Sequence, residues 1–408
     1  MVMEMTKKIV IVGSGIAGIT AIKAIREIDL DSEVCLIGEE EFYPYNRIRL
    51  SKGIFSQLEE NNILLQKKDW YEQNKIKILV NTKVVNVNTN FQEVLLYDGS
   101  KIKYDRLLFA NGASNRIPPI NGIGKNGVYT LRGLNDALEI KSRLNESKEI
   151  IVIGGGIQGL ETAWILHQHG KKVIVCEVLS RLMPNQLDDN ASNMLKNIIQ
   201  SYGIQILTNT AVKEVSGDAK VEGILIDEKV ELKCDMVIYS TGIKSNIDLL
   251  GNTNLQTARG ILVNNKMETN IKNIYAAGDI AELNNQVAGL WNIAIAQGRV
   301  AGYNIAGREI VYENITPVTT LNAFGISLFS MGCIDETKST NTLVYKDINL
   351  KEYKKIFIKD NKIVGAIVIG DTKKSPLLKS AIEKETNLDE VDLSNISVNE
   401  LFEKLKDK

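Results

Sequence analysis

Two stretches of this chain carry residue types at spacings that can do chemistry. The first, Gly13-Ser14-Gly15-Ile16-Ala17-Gly18, follows the apolar run KKIVIVG and opens the helical period IAGITAIKAIREI. In a strand–turn–helix unit the first glycine permits a tight turn, and the second lets a pyrophosphate approach the backbone. The third lets the helix pack close to the strand, while the helix N-terminus offers N–H groups and positive potential. Glu39 ends the next apolar run, EVCLIG, where a carboxylate can accept hydrogen bonds from a ribose. The second stretch, Gly154-Gly155-Gly156-Ile157-Gln158-Gly159, lies between EIIVIG and IQGLETAWILHQHG, and Glu177 ends the following run, KKVIVCE. An acid there favours an adenosine ribose with a free 2′-hydroxyl and repels a 2′-phosphate, so Glu177 predicts NADH over NADPH. The cations Lys171, Lys172 and Arg181 lie nearby in sequence and weigh the other way. Two dinucleotide sites in one chain are what passing a hydride from a nicotinamide to a flavin requires. Spacing alone leaves open which site holds which.

Other reactive residues are sparse. Cys35, Cys176, Cys234 and Cys333 form neither CxxC nor CxxxxC, so no sequence-local redox disulfide or paired-cysteine metal motif is readable. Cys35 and Cys176 sit in apolar runs and read as small buried hydrophobes. His167 and His169 are two apart on a predicted helix and do not share a face, which argues against a metal pair. A net charge of -1, with 44% hydrophobic and 24% charged residues, fits a soluble globular protein with no nucleic-acid or membrane partner. The uncharged stretch 314–334 is broken by Asn, Thr, Pro, Gly and Ser and does not read as a membrane span. The start, MVMEMTKKIVIVG, runs directly into a strand without a signal peptide, so cytoplasmic residence is expected. Oligomeric state is left open between monomer and homodimer.

The elements that must position these residues follow from periodicity. Strand-length apolar runs alternate with helical periods in two βαβ units, which predicts an α/β protein with two Rossmann-like dinucleotide-binding domains. LLYDGSKIKYDRLLFA and VEGILIDEKVELKCDMVIYSTG read as hairpins with returning strands. From about Asn314 the pattern changes to strand-like pieces and a charged helical tail, SVNELFEKLKDK, a small α+β domain. The expected division is 1–113 with 242–313, then 114–241, then 314–408.

Over nearly its whole length the chain resembles the flavoprotein family with two dinucleotide-binding domains, which includes glutathione reductase, NADH oxidases and ferredoxin or rubredoxin reductases. YDRLLFANG (104–112) is similar to the family's first ATG segment, with Asn111 in place of the usual Thr. CDMVIYSTGIKSN (234–246) is similar to the second, and NIYAAGDIAE (273–282) to the FAD-binding GD segment. PYNRIRLSKG (44–53) resembles the PYxRxxLSK segment of rubredoxin, putidaredoxin and dioxygenase-ferredoxin reductases, and of the flavin domain of assimilatory nitrite reductases. FGISLFSMG and KIVGAIVIGDT resemble the C-terminal domain of the rubredoxin reductases. The resemblance implies a glutathione-reductase-like fold with FAD in 1–113 and 242–313 and NAD in 114–241. The PYNRIRLSKG region has no cysteine where the disulfide-reducing and NADH oxidase branches carry one. Electrons are therefore expected to leave the flavin directly.

The same resemblance assigns roles by position. Lys52 would approach the flavin N5, and Glu161 would face Lys52 and the nicotinamide, unless it is a solvated helix carboxylate. Arg47 and Arg132 would touch the FAD phosphate or adenosine region, and Val84 would meet adenine through its backbone. Ala110 and Gly112 would line the FAD, and Gly242 the NAD. Asp279 would accept from the ribityl chain or meet the pyrophosphate through water; it also admits a reading as a helix N-cap. Trp291 would lie by the isoalloxazine ring. The expected activity takes hydride from NADH onto FAD and passes single electrons to a small carrier protein, with rubredoxin favoured. The alternatives are an NADH oxidase or peroxidase, the reductase component of a nitrite-reducing system, or an NADH-sensing flavin-binding protein.

Overall fold

The computed structural model describes residues 6–55, 58–227, 230–251, 253–313 and 315–406, in two compact units. The first comprises Met1–Leu50, Ser56–Arg116 and Gly242–Asn314. Its centre is a parallel sheet in the order Ile274–Ala276, Arg106–Phe109, Lys8–Val12, Glu33–Ile37, Ile76–Leu79. The strand Lys8–Val12 is buried at every position after Lys8, as expected of a parallel strand covered on both faces. Part of that cover is an antiparallel meander, Val84–Asn88, Glu93–Leu96 and Lys101–Lys103. Its Val87 and Val94 share a core with Val10, Leu107 and Phe109.

The helix Ile16–Arg26 packs against the helix Trp291–Ala306 through an unusually close contact. A Cβ on Gly298 would fall 2.3 Å from the Ala17 carbonyl oxygen, and one on Gly302 2.4 Å from that of Ala21. Only glycine permits this approach, so residues distant in sequence are locked onto the first helix.

The second unit comprises Ser51–Phe55, Ile117–Thr241 and Ile315–Lys408. It repeats the plan with a parallel sheet in the order Gln205–Leu207, Lys172–Cys176, Glu149–Ile153, Met236–Tyr239, Val128–Thr130. The repeat extends to a detail not read from the sequence. Asp105 and Asp235 precede matching strands, and each accepts a backbone N–H from the start of the central strand, Lys8 at 2.7 Å and Lys148 at 2.7 Å. The three-stranded piece Val212–Ser216, Gly223–Ile226 and Val230–Lys233 packs Val215 and Ile224 against Ile151 and Val237.

The same unit carries an antiparallel sheet in the order Val318–Ala323, Ile326–Gly332, Lys362–Gly370, Glu352–Lys359, Asn341–Asp347. Helices Ser375–Glu383 and Val398–Lys406 lay Leu378, Ala381, Leu401 and Phe402 on its apolar face. The α/β class with a C-terminal α+β part is therefore as expected from periodicity. No helix of the described residues is long and apolar enough to cross a membrane.

The glycine helix contact makes a direct prediction. Gly298→Val should destabilise the protein by about 3 kcal/mol, because the new side chain meets backbone that cannot swing aside. Gly307→Ala, on the same helix's C-terminal cap with no atom within 4 Å of the added carbon, should cost about 1 kcal/mol through its positive φ alone. Thermal melts of the two variants would show the order.

Candidate cofactor sites

Each glycine loop has three different glycine environments. Gly13 and Gly154 have φ of +109° and +116°, and a Cβ on either would strike a carbonyl oxygen, of Ala110 at 2.2 Å or Ser240 at 2.3 Å. Gly15 and Gly156 face open space, with nothing within 4 Å of an added Cβ. Gly18 and Gly159 are closed, an added Cβ lying 2.5 Å from the Gly13 oxygen and 2.1 Å from the Gly154 oxygen. Both following helices begin without a side-chain cap and without an acid in their first turn. Open middle glycines at uncapped helix N-termini fit a dinucleotide pyrophosphate, whose charge the N–H groups and helix dipole would stabilise.

The acids beyond these loops differ. Glu177 is buried, and its Oε2 accepts from the Gly155 N–H at 2.6 Å while Oε1 accepts from the Leu179 N–H at 2.9 Å. A carboxylate offers about four acceptor directions, so capacity remains for a ribose hydroxyl. The nearby cations are engaged elsewhere. Lys171 donates to the Ser147 carbonyl at 2.8 Å, Lys172 pairs with Glu149 at 2.6 Å, and Arg181 pairs with Asp189 at 3.1 Å. Glu39, by contrast, is exposed and pairs with Lys83 at 2.7 Å. Its neighbour Glu40 is half-buried. It accepts from the Tyr45 hydroxyl and forms an ion pair with Arg47. Tyr45 and Arg47 of PYNRIRLSKG thus fold back on Glu40, a link that the run of three acids 39–41 does not reveal.

Other predicted residues of the first unit cluster around its loop. Ala110 is buried against Gly13, and Gly112 has φ +64°. Ser14 places its hydroxyl against Gly38, where a Cβ would sit 2.7 Å from it. Val84 is buried at the start of the meander, beside a register shift. Asp279 lies in a turn leading to the short strand Ala281–Glu282, and its carbonyl accepts from the Ser245 hydroxyl at 2.7 Å. No helix starts there, so the N-cap reading of Asp279 does not hold. Trp291 is half-buried and is itself the first residue of its helix. Gly242, expected with the NAD, belongs to the first unit, where its carbonyl accepts from the Arg116 N–H at 2.9 Å. Asn111 and Asn246, one in each ATG-like segment, exchange amide-to-carbonyl bonds of 2.9 and 2.8 Å. That pairing gives Asn111 a reason to replace threonine.

Lys52, Arg132 and Glu161 belong to the second unit. Arg132 precedes the helix Leu134–Leu144, and its backbone N–H donates to Asp136 at 2.7 Å. Burial raises the Glu161 pKa above its ordinary value, and the Lys52 ammonium draws it partway back. Glu161 is thus a half-buried rather than a freely solvated carboxylate. Phe55 stacks on His169 with ring centroids 3.6 Å apart, tying the Lys52 segment to the helix that carries Glu161. Cys176 and Cys234 are buried, with thiol pKa values pushed up to about 12 by burial. Cys35 is only partly buried, less enclosed than its apolar run implies, and burial still pushes its pKa up.

Residues 7–298 match the pyridine nucleotide-disulphide oxidoreductase family, and residues 317–386 match the rubredoxin NAD+ reductase C-terminal domain. The chain belongs to the pyridine nucleotide-disulphide oxidoreductase family; it is an oxidoreductase that uses FAD and NADH. Within that family it is 34% identical over 395 residues to the NADH-rubredoxin oxidoreductase of Clostridium acetobutylicum, covering 97% of this chain and 99% of that one. It is also 34% identical over 395 residues to an NAD(P)H nitrite reductase of Bacillus subtilis, matching 96% of this chain but 49% of the longer relative. The crystal structure of NADH:rubredoxin oxidoreductase from Clostridium acetobutylicum is 32% identical, with a TM-score of 0.81 over 98% of this chain and 100% of that one. A ferredoxin reductase from Rhodopseudomonas palustris, 21% identical over 98% of this chain and 99% of that one, shares the fold at a TM-score of 0.88.

The loop geometry separates two glycines of the second fold. Gly159→Ala should lower thermal stability markedly, while Gly156→Ala should leave it nearly unchanged and raise the NADH KM by about tenfold, because only the second carbon enters open space. Steady-state kinetics beside thermal melts would distinguish them. Glu161 gives a pH test. Its folded pKa exceeds the unfolded one, so its proton favours the folded state; that contribution is full at low pH and lost as pH rises through the folded pKa. Glu161→Gln should therefore raise the melting temperature near pH 8 and do little near pH 4. The gain should grow in a Lys52→Met background. A loss of stability at pH 8 would contradict this account.

Proposed function

We propose that the protein is an NADH-dependent reductase of a small one-electron carrier, and that the carrier is rubredoxin. The observation that carries the choice of acceptor is the match of residues 317–386 to the C-terminal domain of rubredoxin reductases. The relative named for that activity, matched over 99% of its own length, supports it. The free cysteines support it too, since the two most enclosed, Cys176 and Cys234, have thiols that burial keeps protonated. They make poor relays to a disulfide.

The bound flavin supplies two-electron acceptance paired with one-electron release. The chain's own residues bind and orient. The loop Gly13–Gly18 holds the FAD pyrophosphate, Asp279 the ribityl side, and Arg47, Arg132, Ala110, Gly112, Val84 and Glu39 the remainder of that cofactor. Trp291 presents its ring to the isoalloxazine. The loop Gly154–Gly159 holds the NADH pyrophosphate, with Gly242 beside the NADH, and Glu177 selects the free 2′-hydroxyl because its carboxylate repels a 2′-phosphate. Lys52 would place positive charge beside the flavin, and Glu161 would position the nicotinamide. On this reading residues 1–113 with 242–313, 114–241 and 314–408 are the FAD, NAD and C-terminal domains of a cytoplasmic enzyme.

A second reading has its own observation: the nitrite reductase relative is equally identical, over half its length. In that case the chain would serve a separate reductase subunit. The deciding measurement is NADH-driven reduction of purified rubredoxin against the ionic strength. Rubredoxins are acidic, so a fast rate that falls with salt is expected if basic residues such as Arg49 steer docking. A rate no faster than with free FAD would exclude rubredoxin, and a fast, salt-independent rate would retain the acceptor and reject the steering.

A further inference from the structure

The loop from Glu177 to Asp188 leaves the strand Lys172–Cys176 and ends at the helix Asp189–Ser201. Its near end clasps the second glycine loop. Gly155 donates to Glu177, the Met183 N–H donates back to the Gly155 carbonyl at 3.1 Å, and Leu182 lies where a Cβ on Gly155 would sit, at 2.6 Å. Its far end is held by the C-terminal sheet. The Ser330 hydroxyl donates to the Gln186 carbonyl at 2.6 Å. Asp188 is the junction: one carboxylate oxygen caps its helix through the Ala191 N–H at 2.8 Å. The other accepts from the Tyr353 hydroxyl at 2.7 Å and the Lys355 ammonium at 2.9 Å.

These holding groups are interior. Ser330, Tyr353 and Lys355 are 4%, 1% and 3% exposed. Burial alone would raise the Asp188 pKa, but the Tyr353 hydroxyl, the Ala191 N–H and Lys355 more than offset it, and the group stays ionised. Lys355 also pairs with Glu336, so its ammonium is held between two carboxylates. A continuous set of directional bonds thus runs from two strands of the C-terminal sheet, through Asp188 and Gln186, to the residues that surround Gly155.

We propose that the C-terminal domain is a working part of the NADH site. Ser330, Tyr353 and Lys355 are positioning residues that hold the 177–188 loop, and through it Glu177 and Gly155, in the geometry that receives the adenosine half of NADH. The proposal rests on the reading of the second fold as the NADH fold. It assigns the domain a task independent of the electron acceptor.

Tyr353→Phe combined with Ser330→Ala removes two hydroxyls and leaves the packing volume almost unchanged. In the FAD-loaded protein, with ferricyanide as acceptor, the double variant should raise the NADH KM about fivefold to tenfold, the scale of one or two lost hydrogen bonds. kcat and FAD content should stay within about twofold. The NADH-over-NADPH preference in kcat/KM should narrow by a similar factor, because a loosened Glu177 no longer meets the 2′-phosphate rigidly. Calorimetric binding of NAD+ should weaken in parallel. A structural role alone would lower stability without moving KM or the preference; an unchanged KM, or a fall in kcat and FAD content at constant KM, overturns the proposal. Glu177→Ala separates the two levels. If it raises the NADH KM while the double variant does not, only this inference fails; if Glu177→Ala also leaves KM unmoved, the assignment of the second fold fails.

Discussion

The contact on which the structure depends is the closure of each glycine turn onto its own helix. At Gly18 and Gly159 there is no room for one more carbon, the nearest oxygens lying 2.5 and 2.1 Å from where it would stand. That closeness brings the helix start up to the end of the central strand, so its N–H groups and dipole point at the loop mouth. In the first unit the same helix is gripped from another side, by Gly298 and Gly302 against Ala17 and Ala21. A helix held by its own turn and by a helix nearly three hundred residues later can present its N-terminus with little freedom. The geometry of anion binding is therefore set by missing side chains.

The two units secure their acids in opposite ways. Glu177 sits inside the second fold and accepts two backbone N–H groups, charge-assisted bonds that fix both loop and carboxylate. Glu39 stands in solvent with Lys83, an exposed pair of little energetic consequence. Its neighbour Glu40 gathers Tyr45 and Arg47 of the segment that leads to Lys52. One duplicated plan has thus been fitted with different polar interiors. In the second, the enclosed carboxylate fixes the chain beside the glycine loop.

This difference explains what the sequence discloses. The glycine loops, the two βαβ units, the hairpins before each returning strand and the C-terminal change of pattern all follow from local periodicity and spacing, which a sequence displays directly. The Glu40 cluster, the Asp105 and Asp235 caps and the Asn111–Asn246 exchange are not legible that way. Each joins residues whose adjacency is created by the fold, and Asp, Glu and Asn are common enough that none stands out. Asp279 shows the limit from the other direction: its position in a Gly-Asp turn permits a helix cap, and only the short strand that follows excludes one.

The buried charges around Asp188 sharpen the question of what the C-terminal domain is for. Burying an ion pair gains little stability over a well-packed apolar pair, because desolvation offsets the attraction. Lys355, almost without solvent contact, is therefore a poor choice if the domain needs only to adhere. Apolar packing is indifferent to small rotations, whereas a carboxylate receiving a hydroxyl and an ammonium from one strand and an N–H from its own helix has one favourable orientation. Such bonds fix direction at an energetic cost. Here the fixed direction belongs to the loop that lies against Gly155 and follows Glu177. The same domain covers its own sheet with two helices through apolar contacts, while the buried Ser330, Tyr353 and Lys355 make directional bonds to the loop that follows Glu177.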